Sequence, residues 1–197
     1  MVDGPRRLPV GRLEIVDVRH LYPPVPDGSV GRSRDKSALL GIAQHHDAAI
    51  MRAGDHDYNG TTLNEDLARL HVIYNVGLSN GWGGFPYHFV ASPNGRAFYT
   101  LDLSFFGAHV ARRNHQLAGV ALMGLFTEAT PVRESLCAAG LAIAAIWHLA
   151  GRLLDVRGHR EWALSDQPTQ CPGDTWWHWQ NALFQSARLQ ARLAFPE

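Results

Sequence analysis

His159, in Gly158-His159-Arg160-Glu161, and Cys171, in Cys171-Pro172-Gly173, carry the two side-chain types that borderline-soft zinc favours, imidazole and thiolate. A third ligand is then required. The adjacent pair His45-His46 follows the apolar run Ala38-Leu39-Leu40-Gly41-Ile42-Ala43 and supplies it from the far end of the chain. Three protein ligands leave the fourth position of a tetrahedral ion to water, an arrangement that is hydrolytic rather than structural.

Taken singly, each residue has an ordinary explanation. Paired histidines at a strand end are often polar surface or satisfied core groups. His159 reads as an exposed loop imidazole, and Cys171 as an inert buried thiol. The conjunction is more specific, because one site needs ligands from two ends of a fold. The chain offers a histidine after a buried strand together with a histidine and a cysteine on one loop.

The elements that must position these groups follow from periodicity and turn chemistry. The short apolar run from Ser37 to Gln44 predicts a buried strand that delivers His45 at its C-terminal end. Thr62 precedes an apolar spacing of three and four through Asn75, with Glu65 three residues on, which predicts a capped amphipathic helix. Tyr87 to Ala91 and Ala97 to Leu101 flank Pro93-Asn94-Gly95, a hairpin pattern. The continuous apolar stretch Leu117 to Gly124 suits a strand covered on both faces, in the middle of a sheet. Glu134 to Leu154 reads as one central packing helix. A last helix is expected from about Asp174 to Leu193, with Trp176, Trp177 and Trp179 in its core face. Cys137, among alanines, is expected in the core.

Composition bounds what such a chain does. With 46% hydrophobic and 18% charged residues, 197 residues suffice for one domain with its own core. Eighteen basic side chains balance eighteen acidic ones, which argues against an electrostatic grip on nucleic acid or an anionic membrane and favours a neutral polymer or small substrate. Two cysteines make no disulfide framework. Met1 to Val10 lead into no apolar run of the secretory type, so synthesis in the cytoplasm is expected, with a monomer as the product. Residues 1–36, rich in Pro, Gly and Arg, read as an N-terminal extension that wraps onto a domain spanning 37–197.

From Ser37 to Trp179 the order of motifs resembles one family. An apolar strand ends in His45-His46, and a helix is followed by Gly81-Trp82. Then come Tyr87-His88-Phe89, the Asn94-Gly95 turn, Gly107-Ala108-His109-Val110, Asn114, Gly119-Val120, Gly158-His159-Arg160-Glu161 and Thr169-Gln170-Cys171-Pro172-Gly173. In this the chain is similar to the zinc-dependent N-acetylmuramoyl-L-alanine amidases of type 2, which include phage endolysins and animal peptidoglycan recognition proteins. The resemblance implies a single α/β domain with a mixed central sheet flanked by helices on both sides. It implies Zn2+ held by His45, His159 and Cys171, with His46 facing away behind the site.

Peptidoglycan or its muropeptides are the implied partner, and cleavage between N-acetylmuramic acid and L-alanine the implied reaction. Release by phage lysis or non-classical export would bring the protein to the wall. Tyr87 matches the family's active-site tyrosine, and a phenol beside a metal can donate to an oxyanion. Thr169 falls where relatives carry Lys or Thr, and its hydroxyl would polarise the scissile carbonyl or hold a water. His109, Asn114 and Trp82 are implied around the substrate: His109 offering an imidazole, Asn114 ordering its loop or touching the peptide, and Trp82 capping the helix near the cleft. A binding module of the same fold, without hydrolysis, is the alternative. The chain departs from the pattern at Gln44 and Asp47, which flank the histidine pair, and in the long spacing from His159 to Cys171.

Overall fold

The architecture follows from a block of short, wholly apolar strands that need cover on both faces. The structure, a computed structural model, describes residues 4–10, 13–48 and 62–194. Its strands are β1 (Arg6–Val10), β2 (Leu13–Asp17), β3 (Gly41–His46), β4 (Phe89–Ala91), β5 (Ala97–Tyr99), β6 (Leu117–Leu122) and β7 (Asp155–Gly158). They form one seven-stranded mixed sheet in the order β1-β2-β5-β4-β6-β3-β7. The strands β4, β6, β3 and β7 run parallel to one another, as do β2 and β5, whereas β1/β2 and β4/β5 are antiparallel.

Alternation along the strands sorts side chains to two faces. Ile42, Phe89, Val120 and Leu122 join one cluster with Ala138, Ala142, Ile143 and Ile146 of α2 (Arg133–Ala150) and with Trp176, Trp179 and Leu183 of α4 (Trp176–Ala194). On the opposite face Val90, Phe98 and Ala121 pack with Leu70 and Ile73 of α1 (Leu63–Ser79). The result is a single α/β domain with helices on both sides of a mixed sheet. At the start of α1 the Thr62 hydroxyl accepts the Glu65 amide proton at 3.2 Å, and the Glu65 carboxylate accepts the Thr62 amide proton at 2.8 Å, the reciprocal cap that the sequence predicts.

Several boundaries differ from those expectations. Residues 36–38 form a 3-10 turn, and the strand begins only at Gly41, so His45 and His46 lie within β3 rather than beyond it. The central helix stops at Ala150, where Gly151 adopts the left-handed conformation (φ 67°) that suits glycine. The chain then enters β7, a strand whose four residues include only one large apolar side chain. His159 therefore opens the short helix α3 (His159–Trp162) directly after an edge strand and does not lie in a loop. Two N-terminal strands, β1 and β2, belong to the same sheet, β2 pairing with β5. Trp177 is exposed while Trp176 and Trp179 are buried, because three near-consecutive positions cannot share one helical face. Cys137 is part-buried, lying off the row of Ser135, Ala138, Ala139 and Ala142 that faces the core. Among the described residues no helix is long and apolar enough to cross a membrane.

A candidate metal centre at the ends of two parallel strands

β3 and β7 pair in parallel, with Gln44 opposite Gly158, so their C-terminal ends carry His45 and His159 to the same end of the sheet. Cys171 arrives by a separate route. The backbone N–H of Arg160 donates to the Cys171 carbonyl at 2.9 Å. The Arg160 guanidinium also donates to the Gln170 carbonyl and to Asp174 Oδ1, which ties the Cys171 segment to α3 on both sides of the cysteine. Glu161 fastens the other side: one carboxylate oxygen accepts from the Gly158 amide at 2.7 Å and from the Trp176 indole at 2.8 Å. Ligand donor atoms of His45, His159 and Cys171 consequently lie within 4.8 Å of one another.

Burial prepares these groups for a cation. It holds His45 well below the usual imidazole range, with the neighbouring His159 and His109 adding to the effect, and it lowers His159 to about 4. Both rings are therefore neutral at physiological pH, the form that has a lone pair to give. Burial pushes the Cys171 thiol up to about 12, so an adjacent cation is needed to make it a thiolate near neutrality. Two neutral imidazoles and a thiol with converging donor atoms fit zinc.

Around this cluster the structure gathers most of the other residues singled out in the sequence. The Tyr87 ring, just ahead of β4, lies 5.0 Å from the His45 ring between centroids. Burial raises its phenol well above the ordinary value, and among the described residues its hydroxyl has no hydrogen-bond partner. The Thr169 hydroxyl oxygen accepts the Cys171 amide proton at 3.1 Å. Thr169 and His159 border a cavity of about 190 Å3 together with Val110, Ala111, Ala163, Gln167 and Pro168. A larger cavity, about 570 Å3, is lined mainly by Trp147, Leu154, Val156 and Phe184 and contains none of the ligand set.

His109 is 7% exposed, and both its ring nitrogens are engaged: Nδ1 lies 3.1 Å from His45 Nε2, and Nε2 lies 3.2 Å from the Leu117 carbonyl oxygen. Its imidazole thus faces His45 and not the open cleft. Asn114 acts on the same loop, its side-chain oxygen accepting from the amides of His109 and Val110. Trp82 sits past the end of α1, where its amide donates to the Gly77 carbonyl and its carbonyl accepts from Val30. Its indole and Tyr87 pack against the same apolar cluster on the α1 face. His46 points to the other face of the sheet, where its Nδ1 accepts the Phe126 amide proton at 3.2 Å.

Two sets of contacts around the site were not legible in the sequence. Arg34, from the N-terminal segment, buries its guanidinium behind the site and donates to the carbonyls of Leu103, Asn114 and Leu117 at 2.9, 2.6 and 2.7 Å. Asp47, beside the histidine pair, is paired through both oxygens with Arg69 of α1 and accepts the Gly124 amide proton at 2.8 Å.

No protein-family model matches the chain, and no curated protein sequence does. Solved structures do. The chain is similar to the N-acetylmuramoyl-L-alanine amidase LysC from Clostridium intestinale, with 20% identity, 82% of this chain and 89% of that one covered, and a TM-score of 0.58. It is similar to bumblebee PGRP-SA at 21% identity over 81% of this chain and 88% of that one, with a TM-score of 0.64. A Drosophila PGRP-LB mutant in complex with tracheal cytotoxin matches at 19% identity over 77% and 83%, with a TM-score of 0.59. The chain has the fold that these amidases and peptidoglycan recognition proteins share.

Proposed function

We propose that the chain is a zinc-dependent amidase that hydrolyses the bond between N-acetylmuramic acid and the L-alanine of the peptidoglycan stem peptide. The observation that carries this reading is the convergence of His45, His159 and Cys171 beside a part-buried, protonated tyrosine. Zinc bound there would polarise a carbonyl oxygen and bring the pKa of a coordinated water towards about 7. The chain's own groups do the rest. Tyr87 keeps its proton and has it free to donate to the oxygen on which negative charge develops. Thr169 uses an oxygen lone pair on the Cys171 amide, so its O–H remains available to polarise the scissile carbonyl. The cavity between Val110 and Thr169, which reaches His159, gives the peptide side of the substrate a place to lie.

A thiol-nucleophile reading of Cys171 has less support. The imidazole at hydrogen-bond distance from its sulfur is that of His45, with Nδ1 at 3.5 Å, and burial disfavours its anion. The shared fold with proteins titled amidases, and with one titled as a tracheal cytotoxin complex, supports peptidoglycan or a fragment of it as partner. Digestion of purified peptidoglycan followed by mass spectrometry of the soluble products tests the reading. Stem peptides with a free L-alanine amino group are expected, absent with a chelator and restored by zinc. Retention of the protein on intact wall without any released peptide would make it a binding module instead.

A further inference from the structure

We propose that His109 is a positioning residue that holds His45 in the tautomer and orientation able to bind a metal through Nδ1. The inference rests on the zinc-site reading above. It follows from hydrogen counting. The Leu117 carbonyl oxygen has only lone pairs, so the His109 Nε2 that faces it at 3.2 Å carries the hydrogen. A neutral imidazole has one N–H, so His109 Nδ1 is bare and accepts. Its partner at 3.1 Å is His45 Nε2, which must therefore be the protonated nitrogen of that ring. His45 Nδ1 is left with its lone pair, and Nδ1 is the atom that stands 3.5 Å from Cys171 Sγ.

The His109 ring is also held in a built slot. A Cβ added to Gly107 would lie 2.9 Å from His109 Cδ2, and one added to Gly119 would lie 3.0 Å from Cδ2 and Cγ and 3.1 Å from Nδ1. Contacts of 2.9 Å are essentially never seen for real Cβ atoms and those of 3.0–3.1 Å are tighter than nearly all, so the ring lies where two glycines leave room for it. The acceptor at the far end is fixed as well. The Leu117 carbonyl uses its second lone pair on Arg34, whose guanidinium also binds the Asn114 carbonyl, while the Asn114 side chain holds the amides of His109 and Val110. The chain of contacts runs Arg34, Leu117, His109, His45, and the partners behind metal-bound imidazoles are known to affect metal affinity by about 10–100-fold.

The test uses the full-length chain and competition with a zinc chelator. His109→Phe keeps a ring in the slot but removes the acceptor, and zinc binding about 10–100-fold weaker is expected. His109→Gln offers an amide oxygen to His45 and an N–H to Leu117, and should restore affinity to within a few-fold of the unmutated chain. In the metal-free unmutated chain, nitrogen NMR should show His45 protonated at Nε2 and bare at Nδ1. Equal zinc affinity of the unmutated and His109→Phe chains overturns the inference and leaves the zinc site standing. A His45 protonated at Nδ1 overturns it too, whether or not any variant folds. An unmutated chain that takes up no zinc overturns the zinc-site reading, and this inference with it.

Discussion

Cys171 Sγ stands 3.5 Å from His45 Nδ1 although 126 positions of sequence separate the two residues. Sulfur and nitrogen bound to one tetrahedral zinc are about 3.5 Å apart, given bonds of about 2.3 and 2.0 Å. The contact is therefore already at the spacing that a shared ion requires. It is kept there by Arg160, which fixes the Cys171 segment to α3, and by the parallel pairing of β3 with β7.

Tyr87→Phe removes one hydrogen-bond donor without emptying the space that the ring fills. The variant should keep its zinc and its unfolding midpoint while kcat on a muropeptide falls by about 100-fold, the usual cost of losing an oxyanion donor. Steady-state kinetics with parallel metal analysis checks this; unchanged turnover would remove Tyr87 from the chemistry.

Arg34→Leu strips three carbonyl groups of their charged donor behind the site. Since hydrogen bonds to charged groups contribute about 1.5–3 kcal/mol each, and a buried acceptor left unpaired costs about 1–3 kcal/mol, a loss of about 3 kcal/mol or more is expected in urea unfolding. A midpoint within error of the unmutated protein would show that the N-terminal segment is dispensable to the site.

Arg69→Met leaves the Asp47 carboxylate, 1% exposed, without its cation. A buried charge abandoned in this way costs about 3–5 kcal/mol. The companion Asp47→Asn, Arg69→Met double variant should recover much of the loss, and equal stability of the single and double variants would contradict the pairing.

Acid should weaken the metal-free protein before it reaches the carboxylate range. Burial lowers His109 to about 3 and His46 to about 4, against 6.5 in an open chain. The unfolded chain thus takes up these protons first, and stability present above about pH 6.5 is lost as pH falls towards 4, by up to about 1.4 kcal/mol per pH unit for each imidazole. Urea midpoints at pH 7.5, 6 and 5 measure it; a flat profile would mean that the rings are hydrated and titrate normally.

Legibility in the sequence tracked how local each signal was. β6 is a continuous apolar run and α1 carries its cap in Thr62 and Glu65, so both could be read without tertiary information. β7 could not, because Asp155-Val156-Arg157-Gly158 has neither alternation nor length and gains its strand character by pairing with β3. The ligand types of the metal centre were visible as residue identities. The orientation of His109 was not, since it depends on the register that sets Gly119 beside Ala43 and on an arginine brought in from a turn-rich segment. Asp47 stood out as a departure from the family pattern, but only the fold supplies its partner on α1.

The most direct test of a metal centre shared by His45, His159 and Cys171 is the zinc content of the purified, dialysed chain and of Cys171→Ala, measured by plasma mass spectrometry. About one zinc per chain is expected in the unmutated protein, as for a single three-ligand site, and close to none in the variant. An unmutated chain without zinc, or a variant that retains it undiminished, would contradict the assignment.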